Sequence, residues 1–504
     1  MSAPIVRNWH SILFFEKFLT KFARYSIITY LCARILTEIS MNRLIKYTAF
    51  ATLLVLFTSC KESVTPTLNV EGGDIVGIEL ENSVVYRGIP YAAPPVGDLR
   101  WAKPQPVADW QGVRTCDTFG NAAIQAKHDP NDGVYGTEFY AEDAPMSEDC
   151  LYLNVWTPKM ASAHPEKKLP VAVWIHGGAF MAGWGHEIEF DGDAWAKRNV
   201  ILVTINYRLG LFGFFCHPLL SAEDENGISG NYGLYDQAKA IEWVYNNISE
   251  FGGDPDNITI FGQSAGAMSV KYQVASPVSQ QFISKAIIMS GGGIGGISLN
   301  QPGNQDQLDA PGLDMMNMAG LYTLEEMRAA TPEQLDSIVQ NYQKVMHRQL
   351  PMRPHNDEVF APLSFDEAAA QNAIADIPYM IGGTADDLAN LDKGCDKFAF
   401  LRDSLSEQPT FVYLFDAPAP GDGRPCLEGS FHSSELWYVF NTLSRSWRPY
   451  SDADHALSDK MVDYWTNFAK FGNPNGNVSS PSANDSLVWK PCTIEEPYIQ
   501  KLCR

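Results

Sequence analysis

The stretch that most restricts how this chain can fold runs from Asn257 to Val274. A short β-branched run, Ile258-Thr259-Ile260-Phe261, breaks at Gly262 and resumes after Gly266 as a segment free of proline and interior glycine. That is a strand, a tight turn and a helix in immediate succession. Ser264 stands at the break, within Gly262-Gln263-Ser264-Ala265-Gly266. In G-x-S-x-G the small residues let strand and helix pack closely while the turn pushes the serine hydroxyl outward. Such a serine is placed as a nucleophile, but a hydroxyl is a weak one at neutral pH. It needs a base, an acid to orient that base, and donors for the oxyanion, all from elsewhere in the chain.

The rest of the sequence supplies a scaffold of the right class. Leu151 to Trp156, Val171 to Ile175, Val200 to Ile205 and Ile258 to Phe261 are short apolar runs, and Tyr235 to Asn247 and Ala265 to Val274 are helical in character. Strands alternating with helices predict an α/β fold with a mostly parallel sheet covered on both faces. Before them, Val70 to Arg114 is rich in turns and short strand-like runs, which predicts an antiparallel N-terminal edge. Parallel sheets carry their functional loops at the carboxyl ends of strands. A second such loop, His176-Gly177-Gly178-Ala179-Phe180, follows the run Val171 to Ile175, and its glycines allow backbone N–H groups to converge on one point.

Composition narrows the function classes. With 37 Lys and Arg against 59 Asp and Glu, the net charge is −22, which argues against a nucleic-acid partner. No apolar run reaches the roughly 18 residues of a membrane-spanning helix. A shorter one has a different use: Met41-Asn42-Arg43-Leu44-Ile45-Lys46 is a basic start, Tyr47 to Ser59 is apolar and uncharged, and Thr58-Ser59-Cys60 closes it. Residues 41–60 resemble a bacterial lipoprotein signal peptide with Cys60 as the lipidated residue, which implies an exported, membrane-anchored protein. Residues 1–40 read as the product of an upstream start codon or, alternatively, as a basic arm from Arg7 to Arg34. Residues 61–69 read as a polar tether and 70–504 as one domain. Of nine cysteines, seven lie beyond Cys60, and none is spaced as a zinc ligand, so no metal is expected.

Further blocks carry a family resemblance. Glu148-Asp149-Cys150-Leu151-Tyr152-Leu153-Asn154-Val155 and Gly230-Asn231-Tyr232-Gly233-Leu234-Tyr235-Asp236-Gln237 are similar to stretches of the type-B carboxylesterases. So are Arg87 to Ala92, Pro94 to Gly97 and Phe261 to Gly266. The resemblance implies an α/β-hydrolase fold, a triad in the chain order serine, acid, histidine, a small-molecule ester substrate and no cofactor.

Carried over residue by residue, the resemblance makes Ser264 the nucleophile. His432, in Gly429-Ser430-Phe431-His432-Ser433-Ser434-Glu435, becomes the base. Aligning Met380-Ile381-Gly382-Gly383-Thr384-Ala385-Asp386-Asp387 puts Asp387 at the acid position, with Asp386 and Glu435 as alternatives. Gly178, Ala179 and Ala265 become the oxyanion donors. By their place near the glycine loop, Phe180 and Trp184 are candidates for the wall of an apolar acyl pocket, with a core position as the alternative for Trp184. Three departures stand out. Ala179 replaces the family's commoner third glycine. The cysteine that usually pairs with the one in Glu-Asp-Cys is missing from Phe119 to Ala123, leaving Cys116 as the candidate partner of Cys150. The segment from Asp387 to His432 is short for the family, which implies a more open site or an impaired enzyme serving as a binding module.

Overall fold

The computed structural model describes residues 65–127, 144–295, 304–350, 352–423, 426–477 and 488–504, with Gly136, Glu138 and Phe139. The chain divides into residues 1–63 and a folded unit of residues 64–504. The signal segment 41–60, Cys60 and residues 1–40 lie outside the described residues.

Folded backbone begins inside the stretch read as a tether. Thr65 is buried, and its hydroxyl oxygen accepts the Gly77 N–H at 2.7 Å. Strand β1 (Leu68–Val70) pairs antiparallel with β2 (Gly73–Val76), so Leu68 and Asn69 belong to the domain. β3 (Ile78–Glu79) and β4 (Ser83–Pro90) follow, and β5 (Val113–Thr115) joins β2 in a small separate sheet.

The main sheet is completed by β6 (Tyr152–Pro158), β7 (Leu169–Ile175), β8 (Ile201–Ile205), β9 (Gly253–Gln263), β10 (Lys285–Met289), β11 (Tyr379–Thr384), β12 (Thr410–Phe415) and β13 (Ile499–Leu502). Among the described residues its order is β13-β12-β11-β10-β9-β7-β8-β6-β4-β3. From β13 to β8 neighbours run parallel; β6, β4 and β3 form the antiparallel edge. β9 starts five residues before its apolar run, because Gly253 pairs with Leu169 of β7.

Helices α1 (Tyr232–Asn247), α2 (Ala265–Ala275), α3 (Gln305–Met318), α4 (Pro332–Met346), α5 (Cys395–Leu405), α6 (Leu436–Val439) and α7 (Asp452–Phe471) cover the sheet or pack beside it. The period-two alternation of a strand sorts the core into two layers. Val171, Val173 and Ile175 of β7 pack with Ile241 of α1 and Val270 of α2. Ala172 and Trp174 face the other way, among Met461, Trp465 and Phe468 of α7. A third cluster joins α3 and α4 to Trp101, Phe212 and Phe215. Both faces of the central strands are therefore apolar, which is why these segments are continuous hydrophobic runs in the sequence.

Parallel order brings the ends of β7, β9, β10 and β11 to the same edge of the sheet. His176, Ser264, Ser290 and Asp387 follow those ends by one to three residues.

Candidate active site

Ser264 is the one residue between β9 and α2. Its backbone sits at φ 57°, ψ −124°, a conformation that costs a residue with a Cβ on the order of 1–3 kcal/mol and persists only where the surroundings impose it. The imposing contacts are close. A Cβ at Gly262 would lie 2.5 Å from the Gly266 carbonyl, and one at Gly266 would lie 2.0 Å from the Ile175 oxygen, so neither position tolerates a side chain. The Ser264 N–H donates to the Met289 carbonyl at 3.0 Å, fixing the turn to β10, and its own carbonyl accepts the Met268 N–H at 3.0 Å to start α2.

The base and acid candidates meet directly. His432 Nδ1 lies 2.5 Å from Asp387 Oδ1, and both side chains are almost fully buried. Asp387 also accepts N–H bonds from Thr384 at 3.1 Å and Leu388 at 2.8 Å. Burial pushes its carboxyl up, but the hydrogen bond and charge of His432, then the Ser290 hydroxyl and the Thr384 N–H, hold it below its ordinary value. An ionised carboxylate only accepts, so the imidazole carries its proton on Nδ1 and leaves Nε2 as the basic nitrogen.

Of the alternative acids, Asp386 is exposed and does different work. Its N–H donates to the Ser430 carbonyl at 3.1 Å and its Oδ2 accepts the Ser430 N–H at 2.8 Å, which fastens the histidine loop to the end of β11. Glu435 is fully buried, and its Oε1 accepts the Ser290 hydroxyl at 3.0 Å. Burial, then the charge of Asp387, pushes its carboxyl up to about 8, so at neutral pH it is a protonated acid behind Asp387 and not a second anion. Ser290 thus touches both carboxyls.

One neighbour of the imidazole was missed in the sequence. The amide nitrogen of Gln263 lies 3.3 Å from His432 Nε2 and 3.5 Å from Nδ1, with both residues buried. Its signal is its place in the motif, immediately before the serine.

The glycine loop leaves β7 through His176, whose ring stacks on Tyr207 at 4.4 Å and whose carbonyl accepts the Tyr207 hydroxyl at 2.9 Å. Gly178, Ala179 and Phe180 have φ of 97°, 56° and 63°, three left-handed residues in a row. This bend brings the Met181 and Ala182 N–H groups onto the Gly178 carbonyl at 2.9 and 3.0 Å. Among the described residues the N–H groups of Gly178 and Ala179 donate to no protein acceptor. Ala265 opens α2, where N–H groups have no carbonyl a turn earlier to bond. Loop and serine turn are in contact: a Cβ at Gly177 would lie 2.8 Å from the Gln263 carbonyl oxygen and 3.2 Å from Ser264 Cβ.

Two expectations are corrected. Phe180 does not line a pocket; it is fully buried in the main core, edge-on to Phe214 at 5.4 Å, and Trp184 takes its alternative, a buried position. Left-handed backbone at position 180 turns that ring inward and leaves Met181 exposed instead. Cys116 and Cys150 are separate buried thiols, not a disulfide. Cys116 is held at the small sheet by backbone bonds to Val76 and Arg87.

The family model for the carboxylesterase family matches residues 64–397 and 392–502. The chain belongs to the carboxylesterase family. Para-nitrobenzyl esterase of Bacillus subtilis (strain 168) is 34% identical over 453 residues, covering 78% of this chain and 88% of that enzyme. Fumonisin B1 esterase of Sphingopyxis macrogoltabida is 38% identical over 327 residues, covering 63% of this chain and 56% of that enzyme's length. A solved thermophilic PNB esterase superposes with TM-score 0.72 at 30% identity, over 87% of this chain and 96% of that one. The carboxylesterase therefore has the α/β-hydrolase fold, and it is a carboxylic ester hydrolase.

Proposed function

We propose that this carboxylesterase works through an acyl-serine intermediate on Ser264, with His432 as general base and Asp387 as the acid that orients it. The observation that carries the reading is the 2.5 Å pairing of His432 Nδ1 with a buried Asp387 whose carboxyl is held below its ordinary value, which orients the imidazole as a base. Ser264 loses its proton to His432 and attacks the ester carbonyl. The N–H groups of Gly178, Ala179 and Ala265 receive the oxyanion, each worth typically about 2.7–4 kcal/mol in the transition state. His432 returns the proton to the leaving alcohol, and water repeats the sequence on the acyl-enzyme. The segment from Asp387 to His432, short for the family, and the likeness to an enzyme named for fumonisin B1 both motivate bulky esters as the substrate class.

The test is hydrolysis of p-nitrophenyl acetate, butyrate and octanoate by the protein and by Ser264→Ala. A burst of p-nitrophenol that disappears in Ser264→Ala supports the reading; equal rates for the two proteins overturn it. Lipid anchoring through Cys60 is a second proposal, motivated by the basic and apolar segment from Met41 to Ser59. Mass spectrometry of the mature protein, with Cys60→Ala as control, decides it: an unmodified Cys60 ends that reading.

A further inference from the structure

Behind the glycine loop lies a pair of carboxyls that the ester chemistry does not use. Glu187 Oε1 accepts the Trp184 N–H at 2.8 Å, and it would lie 3.0 Å from a Cβ at Gly183, where His176 Nδ1 and the Gly177 carbonyl oxygen are also met. Gly183 is held from the other side by Gln125, which accepts its N–H at 2.8 Å and donates to its carbonyl at 3.0 Å. Glu187 therefore supports the same loop that carries Gly178 and Ala179. Glu189, two residues on, is completely buried. Apart from its own amide, no donor of a described residue meets either carboxyl oxygen of Glu189; the group facing it is the Glu187 carboxyl, itself an acceptor.

Two carboxylates in that contact have nothing to bind each other with, and a single proton between them supplies the missing donor. We propose that Glu187 and Glu189 hold one proton between them and brace the glycine loop from behind, so that its loss sets an alkaline limit on ester hydrolysis. The surroundings agree. Burial, then mutual repulsion in the case of Glu189, raises both carboxyls. Burial pushes the nearby His176 and His186 down to about 4, so neither offers a cation to a second negative charge. Glu138 adds repulsion towards Glu189 while its own charge is matched by Arg448 at 2.8 Å, and Tyr207, whose hydroxyl burial raises, also faces Glu187. Once both acids ionise, their repulsion displaces Glu187, and with it the Trp184 and Gly183 backbone on which the loop rests.

These are positioning residues, and their role rests on the reading of Gly178 and Ala179 as oxyanion donors. The experiment is the pH dependence of kcat and KM for p-nitrophenyl butyrate, from about pH 6 to about pH 10. It compares the full protein with Glu189→Gln, Glu187→Gln and Glu189→Leu, the last keeping the volume without a charge should an amide fold poorly. Glu435→Gln controls for the other buried acid. The wild type should lose kcat at the alkaline end, and the variants at 187 and 189 should carry that loss at least one pH unit higher with KM unchanged. A wild type without an alkaline loss, a loss unmoved in both Glu189 variants, or one that only Glu435→Gln moves overturns the proposal. Activity surviving in Ser264→Ala brings down the underlying reading as well, whereas an inactive Ser264→Ala with an unmoved alkaline loss brings down the brace alone.

Discussion

Asp387 reaches His432 Nδ1 at 2.5 Å while its chain neighbour Asp386 points away to bind the Ser430 backbone. Adjacent carboxylates thus have separate tasks, one on the imidazole and one on the loop that carries it. Asp387→Asn keeps the shape but can donate a proton to Nδ1, favouring the wrong tautomer, and kcat should fall by about 10⁴-fold. Asp386→Asn should cost far less. Steady-state kinetics on both variants checks the division, and equal losses would refute it.

The same carboxylate predicts a pH dependence of stability. Its pKa is lower in the folded state than its ordinary 3.8, so it stabilises the fold above that value and the contribution disappears as pH falls through the folded pKa. Asp387→Asn should be less stable than wild type near pH 7, with the gap closing below about pH 4. Urea melts at about pH 7 and at several pH values below about pH 4 measure it.

Glu435 predicts the opposite sign. Its pKa is raised from 4.5 to about 8, so wild type loses stability as pH climbs through that interval. Glu435→Gln keeps an oxygen for the Ser290 hydroxyl and removes the titration. It should gain on the order of 1–3 kcal/mol over wild type at pH 9 and little at pH 4. A gain that does not grow with pH would show that Glu435 is not the buried acid it is taken to be.

The connector after Asp387 is held by backbone against backbone. Gly293 donates to the Lys393 carbonyl at 2.9 Å and Ile294 to the Gly394 carbonyl at 3.1 Å. A Cβ at Gly293 would fall 1.9 Å from the Gly394 oxygen. No side chain can rotate away from that clash, so Gly293→Ala should destabilise by about 3 kcal/mol or more and loosen the acid's end of the site. A melt within about 0.5 kcal/mol of wild type would contradict the packing.

What could be read from the sequence was what depends on short spans. The strand, turn and helix around Ser264 are encoded within eighteen residues, Asn257 to Val274, and the glycine loop follows its own strand directly. Beyond that range partners were found only where the family resemblance supplied them, as for Asp387 and His432. Gln263 meets His432 across 169 residues and Ser290 meets Glu435 across 145, and although Gln263 lies inside the serine motif, nothing local says which distant residue either one meets. Phe180 misled for a related reason: its position beside the glycines suits a pocket wall, but three left-handed residues turn it into the core, and φ at alanine and phenylalanine is not visible in composition. Nothing in the sequence singles out Glu187 and Glu189, because their burial is a property of the assembled fold.

Gly177 gives the sharpest test of how closely the two loops must meet. Its backbone is not left-handed, so alanine there brings no conformational strain, only a methyl group. That methyl would sit 2.8 Å from the Gln263 carbonyl oxygen and 3.2 Å from Ser264 Cβ, so loop and serine turn must separate by a few tenths of an ångström. The fold can absorb this at the edge of the sheet, whereas donors to a developing oxyanion are sensitive to small displacements, and each contributes roughly 10²–10³ in kcat. Gly177→Ala should therefore lose about 10²-fold in kcat with a melting transition close to wild type. Kinetics and calorimetry on the one variant decide it: activity retained would mean that the loop does not deliver its N–H groups to the ester at Ser264.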